Sequence, residues 1–146
     1  MPFHFSLQPV LRLQQSLEER ERLRLALIIA ALNKLNQHRQ RLDQQKAELA
    51  NGLAERLKAG MAAVEIHFER ARLVAIEQQK NNLLQQKDKL EQQRAAQEQA
   101  FREAQRKRKT LESLRDGKLE QYRRIQRRRE QERVDDLFGL RHAVQH

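Results

Sequence analysis

Bulky apolar residues recur every seven positions along most of the chain, and this period constrains the fold more than any other feature of the sequence. In the second half, Ile76, Leu83, Leu90, Gln97, Ala104, Leu111, Lys118 and Ile125 follow the repeat, and six of the eight are apolar. In the first half, Leu25, Ile28, Leu32, Leu35, Leu42, Leu49 and Leu53 share one register, with Arg39 and Lys46 on the same seam. Such a repeat belongs to α-helices that bury a narrow stripe against one another. The two cationic interruptions can lay their aliphatic stems along the seam and keep their heads in water. Both prolines, Pro2 and Pro9, fall in the first ten residues, so nothing after them forbids continuous helix. β-Branched residues are scarce, which argues against sheet. The expected fold is all-α: two long helices in an antiparallel coiled-coil hairpin, the second longer and overhanging.

The punctuation sets approximate boundaries. Phe3, Phe5 and Leu7 alternate with polar residues in a short entry arm, 1–9, and Pro9 suits an early helical position. Asn51-Gly52 and Ala59-Gly60 are both good left-handed stops. The expected layout is one domain over 1–146, with helix over 10–52, a turn region over 53–62, helix over 63–138 and a frayed tail over 139–146. Val10, Leu13 and Leu17 lie out of phase with Leu25 onward. The eleven-residue step from Leu17 to Ile28 predicts a four-residue stutter. With equal rise on both sides of the turn, the first helix should cover the second back to about residue 105.

Charge gathers on the predicted overhang. Residues 101–133 carry 13 Lys/Arg against 6 Asp/Glu, a net of +7 out of a total of +10. This excess is too large to be absorbed by pairing within the helix, and it favours an acidic partner. Aromatic stacking groups are scarce there, only Phe101 and Tyr122, and no nucleic-acid motif appears, so a protein partner is favoured over nucleic acid. Arg123, Arg124, Arg127 and Arg128 are expected to supply attraction to that partner, and Leu114, Tyr122 and Ile125 to supply packing. A stripe lacking an internal partner also leaves self-association open.

Several functions are excluded. The chain has no cysteine, hence no disulfide, thiolate metal site or cysteine nucleophile. No phosphate-binding G-x-x-x-x-G-K-[ST] loop, H-E-x-x-H or G-x-S-x-G motif occurs. His142 and His146 share a helical spacing but lack a third ligand, and His4, His38 and His67 are isolated. Asp135 and Asp136 diverge on a helix and make a poor shared-proton pair. The expectation is a non-enzyme with no cofactor, no metal and no small-molecule substrate. The most apolar run, Leu25 to Leu32, is too short to span a bilayer, and a cytoplasmic protein is expected. A membrane-surface helix ranks last, because the apolar residues of the overhang are sparse.

The motifs resemble a known family. The opening Phe3, Phe5, Leu7, Val10, Leu11 and Leu13 is similar to the start of the FliJ family of flagellar export proteins. Arg106 to Leu114 followed by Tyr122 resembles that family's R-x-x-K-x-L-E-x-L…Y pattern. Glu130-Gln131 with Val134-Asp135-Asp136 resembles its terminal E-Q-x-x-L-D-E motif. The resemblance implies a non-enzymatic central stalk inside the hexameric type III export ATPase. It also implies peripheral association with the inner-membrane export gate and contact with export chaperones. Phe68, Ala75 and Ile76 look equivalent to gate-binding positions, although Arg72 stands where a leucine is expected and the first helix has no tyrosine. The competing readings are the equivalent stalk of a virulence-type secretion system and a basic coiled coil that binds nucleic acid.

Overall fold

A computed structural model describes residues 2–144. Two α-helices, α1 (Gln8–Ala59, 52 residues) and α2 (Ala63–Val144, 82 residues), pack against each other as a hairpin, and no strand occurs among the described residues. The first helix opens where the arm turns back. Gln8 N donates to Phe5 O at 3.0 Å and Leu11 N donates to Leu7 O at 2.9 Å, with Pro9 in the first turn, where its missing N–H leaves no gap.

The helix boundaries differ from those read in the sequence. Asn51-Gly52 does not stop α1, which continues to Ala59, so the turn shrinks from 53–62 to Gly60–Ala62. Gly60 takes the left-handed conformation with φ of 95°, and Gly52 stays helical. Residues 139–144, expected to fray, belong to α2. The chain divides into two compact units, one of residues 21–101 and one of residues 1–20 with 102–146.

Burial from the end of the arm along α1 keeps one 4–3 register: Leu7, Leu11, Gln14, Glu18, Glu21, Leu25, Ile28, Leu32, Leu35, then Leu42, Lys46, Leu49 and Leu53, and the one gap is Arg39, which is exposed rather than laid along the seam. There is no stutter. Leu11 is fully buried, whereas Val10 and Leu13 are 42% and 56% exposed. The early seam positions are simply polar, and polar residues carry no hydropathy signal. On α2 the alternation runs through Ile66, Glu69, Leu73, Ile76, Lys80, Leu83 and onward to Leu111 and Arg115. It then moves by one residue to Leu119, Tyr122 and Gln126. Lys118 and Ile125 consequently leave the seam and are exposed. Opposite these positions lies the non-helical arm, which imposes no seven-residue period on α2.

In the unit of residues 21–101, Leu42, Ile76 and Leu83 form the core, with Leu35 and Leu49 packed against them. Ion pairs flank it. Lys80 Nζ lies 2.6 Å from Asp43 Oδ1, and Lys46 Nζ lies 2.8 Å from Glu77 Oε2. The Gln97 amide donates to Glu21 O at 3.0 Å and also to the Glu21 carboxylate. As the number on one helix falls the other rises, which is antiparallel pairing. Hydrogen bonding to Lys80 holds the Asp43 carboxyl below its ordinary range, and hydrogen bonding to Lys46 does the same for Glu77. The Lys80 ammonium is raised, chiefly by its bond to Asp43. In the other unit Arg108 bonds Glu18 across the hairpin and Glu112 on its own helix at 2.8 Å, and these bonds raise its pKa. The first helix and its arm reach α2 as far as Tyr122, well beyond the residue 105 expected, because α1 runs seven residues past Gly52 and the arm extends it further.

Thermal or urea unfolding monitored by circular dichroism reads the consequences for stability. Leu83→Ala should cost about 2 kcal/mol, at the low end for core leucines because the seam is thin, while Leu84→Ala, at an exposed position, should cost under about 0.5 kcal/mol. Gly52→Ala should stabilise the helix by about 0.5–1 kcal/mol, since an added Cβ meets only Arg56 Nη2 at 3.9 Å. Gly60→Ala should destabilise by about 1 kcal/mol. Lowered carboxyls contribute stability above their ordinary values and lose it as pH falls through the folded values. The melting temperature should therefore drop below about pH 4. The raised Lys80 contributes below its ordinary value and loses that contribution as pH rises through the folded value. A second decline should begin above about pH 10.4. Asp43→Asn should shrink both declines.

Candidate functional site

The basic end of α2 sits within the unit that also contains the arm. From Arg127 to Val144 every residue is exposed. A helix turns about 100° per residue, so the four predicted arginines fall within an arc of about 140°, one broad basic face. At one edge of that face Arg124 and Arg128 flank Ile125 and, with Gln121, line a shallow groove of about 240 Å3. Toward the other edge Arg123 and Arg127 stack one turn apart, and Arg127 Nε donates to Arg123 O at 3.4 Å. Arg124 and Arg127 each come within 3.5 Å of Glu120 Oε1. These are exposed pairs of small energetic weight, and they leave most of the positive charge facing solvent. Leu114 (43% exposed) and Ile125 (52%) stand eleven residues apart on the same side. Tyr122 does not join them. Its ring packs on Phe3 with centroids 5.6 Å apart, so the arm claims a residue that sequence reasoning assigned to a partner.

The second candidate surface belongs to the other unit, near the turn. Ala75 and Ile76 lie together with Arg72, Leu49, Gln45 and Gln79 along a groove of about 440 Å3. Ile76 is 9% exposed and belongs to the core, which makes it a floor rather than a projecting anchor. Phe68 is 64% exposed and does not line this groove. Beneath Arg72 lies Glu69, 6% exposed, with Arg56 and Arg72 each 3.6 Å from its Oε1 and no hydrogen-bond partner for its Oε2. A buried carboxylate here is tolerable because two guanidiniums share its charge from the rim. Arg72, standing where the resemblance expects leucine, is thus drawn toward Glu69.

Sequence reasoning missed the exposed apolar side of the last three turns. Val134, Leu137, Phe138, Leu140 and Val144 are 55–84% exposed and fall on one side of α2, with Arg141 among them. Val134, Leu137 and Phe138 lay inside the expected helix, but Leu140 and Val144, which complete the side, fell in the segment read as a frayed tail. His142 is helical and exposed, and His146, its proposed companion, lies outside the described residues. Among the described residues no group of three or more His, Cys, Asp or Glu is placed to hold a metal ion, and no helix is long and apolar enough to cross a membrane.

These features define a class of protein: a basic antiparallel helical hairpin whose longer helix presents exposed basic and apolar sides. Residues 3–146 match the family described as flagellar FliJ protein, essentially the whole chain, and the chain belongs to that family. It is accordingly a flagellar export-related protein. No curated protein and no solved structure matches it.

Proposed function

We propose that this chain is a non-enzymatic component of flagellar type III protein export. In this reading it is a central stalk of the hexameric export ATPase and links that ring to the membrane export gate and to export chaperones. It works in the cytoplasm at the inner-membrane export apparatus. The supporting observation is the uncovered stretch of α2. Eighteen residues from Arg127 to Val144, about 27 Å of helix at 1.5 Å per residue, are exposed throughout. They begin inside the basic run from Arg123 to Arg133 and end in apolar side chains. A helix with that composition gains by entering a surface that supplies carboxylates first and apolar contact further along. Membership of a flagellar family narrows the candidate surfaces to the export apparatus. The groove around Arg72, Ala75 and Ile76, with Phe68 nearby, is the candidate contact with the gate.

The reading assigns different kinetic roles to different residues. Arg123, Arg124, Arg127 and Arg128, all exposed, act mainly on the encounter rate through long-range attraction. Ile125 and Leu114 act after encounter, by packing, and so control dissociation. Tyr122 contributes by holding the arm in place as well as by any contact of its own.

Reversal of the four arginines to glutamate should slow association with the purified ATPase hexamer by about tenfold or more at low salt. ATPase stimulation should fall in parallel, while the circular dichroism spectrum is unchanged. Ile125→Ala should instead speed dissociation at an unaltered association rate, measured by surface plasmon resonance. Unchanged ATPase binding in both variants, with the hairpin folded, would remove the stalk reading. Retention of duplex DNA with a steep salt slope would then favour the nucleic-acid alternative.

A further inference from the structure

A groove of about 540 Å3 lies where the arm meets both helices, within a single unit and lined by none of the arginines assigned above. Its apolar lining comes from Phe3, Phe5, Pro9 and Leu119, and its cationic lining from Arg12 and Arg115. Among the described residues no carboxylate lines it. Asp116 lies 3.7 Å from Arg115 Nη2. The wall formed by the arm is pinned at two points. Phe3 packs on Tyr122, and the Lys118 ammonium lies 5.9 Å from the centroid of the Phe5 ring, which is itself 4% exposed. The Gln8 N–H to Phe5 carbonyl bond closes the turn beneath it. A concavity held this way is formed before anything enters it, so a ligand meets little ordering cost.

We propose that this groove docks an acidic segment of a partner protein that carries a bulky apolar anchor. The anchor seats on Phe3, Phe5, Pro9 and Leu119, and carboxylates beside it bond Arg12 and Arg115. Two features of the chain select this occupant. An apolar floor with two guanidiniums in the same lining rewards a ligand that brings both surface types at once, and a bare anion leaves the floor uncovered. The chain carries a net charge of +10, so copies of it repel one another and acidic segments are drawn in. The site uses neither the basic run from Arg123 onward nor the groove at Arg72, and shares with the stalk reading only Tyr122, which holds Phe3.

The test uses the full chain and a short fluorescent peptide of repeated Glu-Glu-Leu-Phe blocks, followed by anisotropy at physiological salt. A control peptide has each Leu and Phe replaced by Ser. The apolar acidic peptide should bind at least about tenfold more tightly than the control. Arg12→Glu should weaken it by about tenfold, and Arg12→Glu with Arg115→Glu by more. Arg127→Glu with Arg128→Glu should change it by less than about threefold. Arg12 is exposed, so the single variant keeps the test informative if the double variant loses its fold by circular dichroism. Equal binding of the serine control, no binding of either peptide, or no effect of Arg12→Glu would overturn the proposal. So would full displacement of the peptide by duplex DNA at equal concentration. Concentration-dependent self-association that Arg12→Glu abolishes would assign the groove to a second copy and overturn it as well.

Discussion

The structure rests on a seam one side chain wide. Leu42, Ile76 and Leu83 are buried, Leu35 and Leu49 support them, and charged side chains begin immediately on either side. A two-helix hairpin has no third element to thicken this stripe, so its specificity must come from elsewhere. It comes from the polar positions. Asp43 pairs with Lys80, Glu77 with Lys46, Gln97 with Glu21 and Arg108 with Glu18; a slip of one heptad along α2 would still offer Lys87 to Asp43 and Arg115 to Glu18, but it would set Leu84 opposite Lys46 and Ala104 opposite Glu21. Leucine can slide past leucine at modest cost, whereas a slipped register would strand several charges at once. The polar seam therefore fixes alignment, and the apolar seam supplies the adhesion.

That division explains which features could be read from the sequence. The fold class and the seam from Leu25 to Leu53 are carried by apolar periodicity, and both stand in the structure. The seam from Leu7 to Glu21 was misread, because its members Gln14, Glu18 and Glu21 are polar and the exposed Val10 and Leu13 offered a rival phase. Lys80, Arg94 and Arg108 occupy seam positions on α2 for the same reason and were equally invisible as such. The choice between Gly52 and Gly60 could not be made locally, since both dipeptides permit a left-handed stop. Tertiary pairing decides it: Leu53 is 8% exposed against α2, which rewards continuing the helix through Gly52. The exposure of Arg123, Arg124, Arg127 and Arg128 was legible from charge and length. The engagement of Tyr122 with Phe3 was not, because a nine-residue arm has no periodicity from which its path could be inferred.

The position of the turn also determines what the long helix leaves exposed. In an antiparallel hairpin, moving the turn by one residue moves every cross-helix partner by two. Lys46 opposite Glu77 and Asp43 opposite Lys80 are consistent with a turn centred near Gly60 to Ala62. A turn at Gly52 would have shifted these pairings by about sixteen residues, bared the helix from about residue 105, and placed Leu111, Leu119 and Tyr122 in water. With the turn at Gly60 and the arm folded back, the covered part of α2 ends at the point where the arginine run begins. One glycine with φ of 95° thus sets the boundary between the part of α2 that satisfies itself and the part that requires something else. Before that boundary Glu18, Asp43 and Glu77 find cations across the hairpin; beyond it residues 123–144 carry seven Arg against four Asp/Glu, with no first helix opposite them to answer the excess.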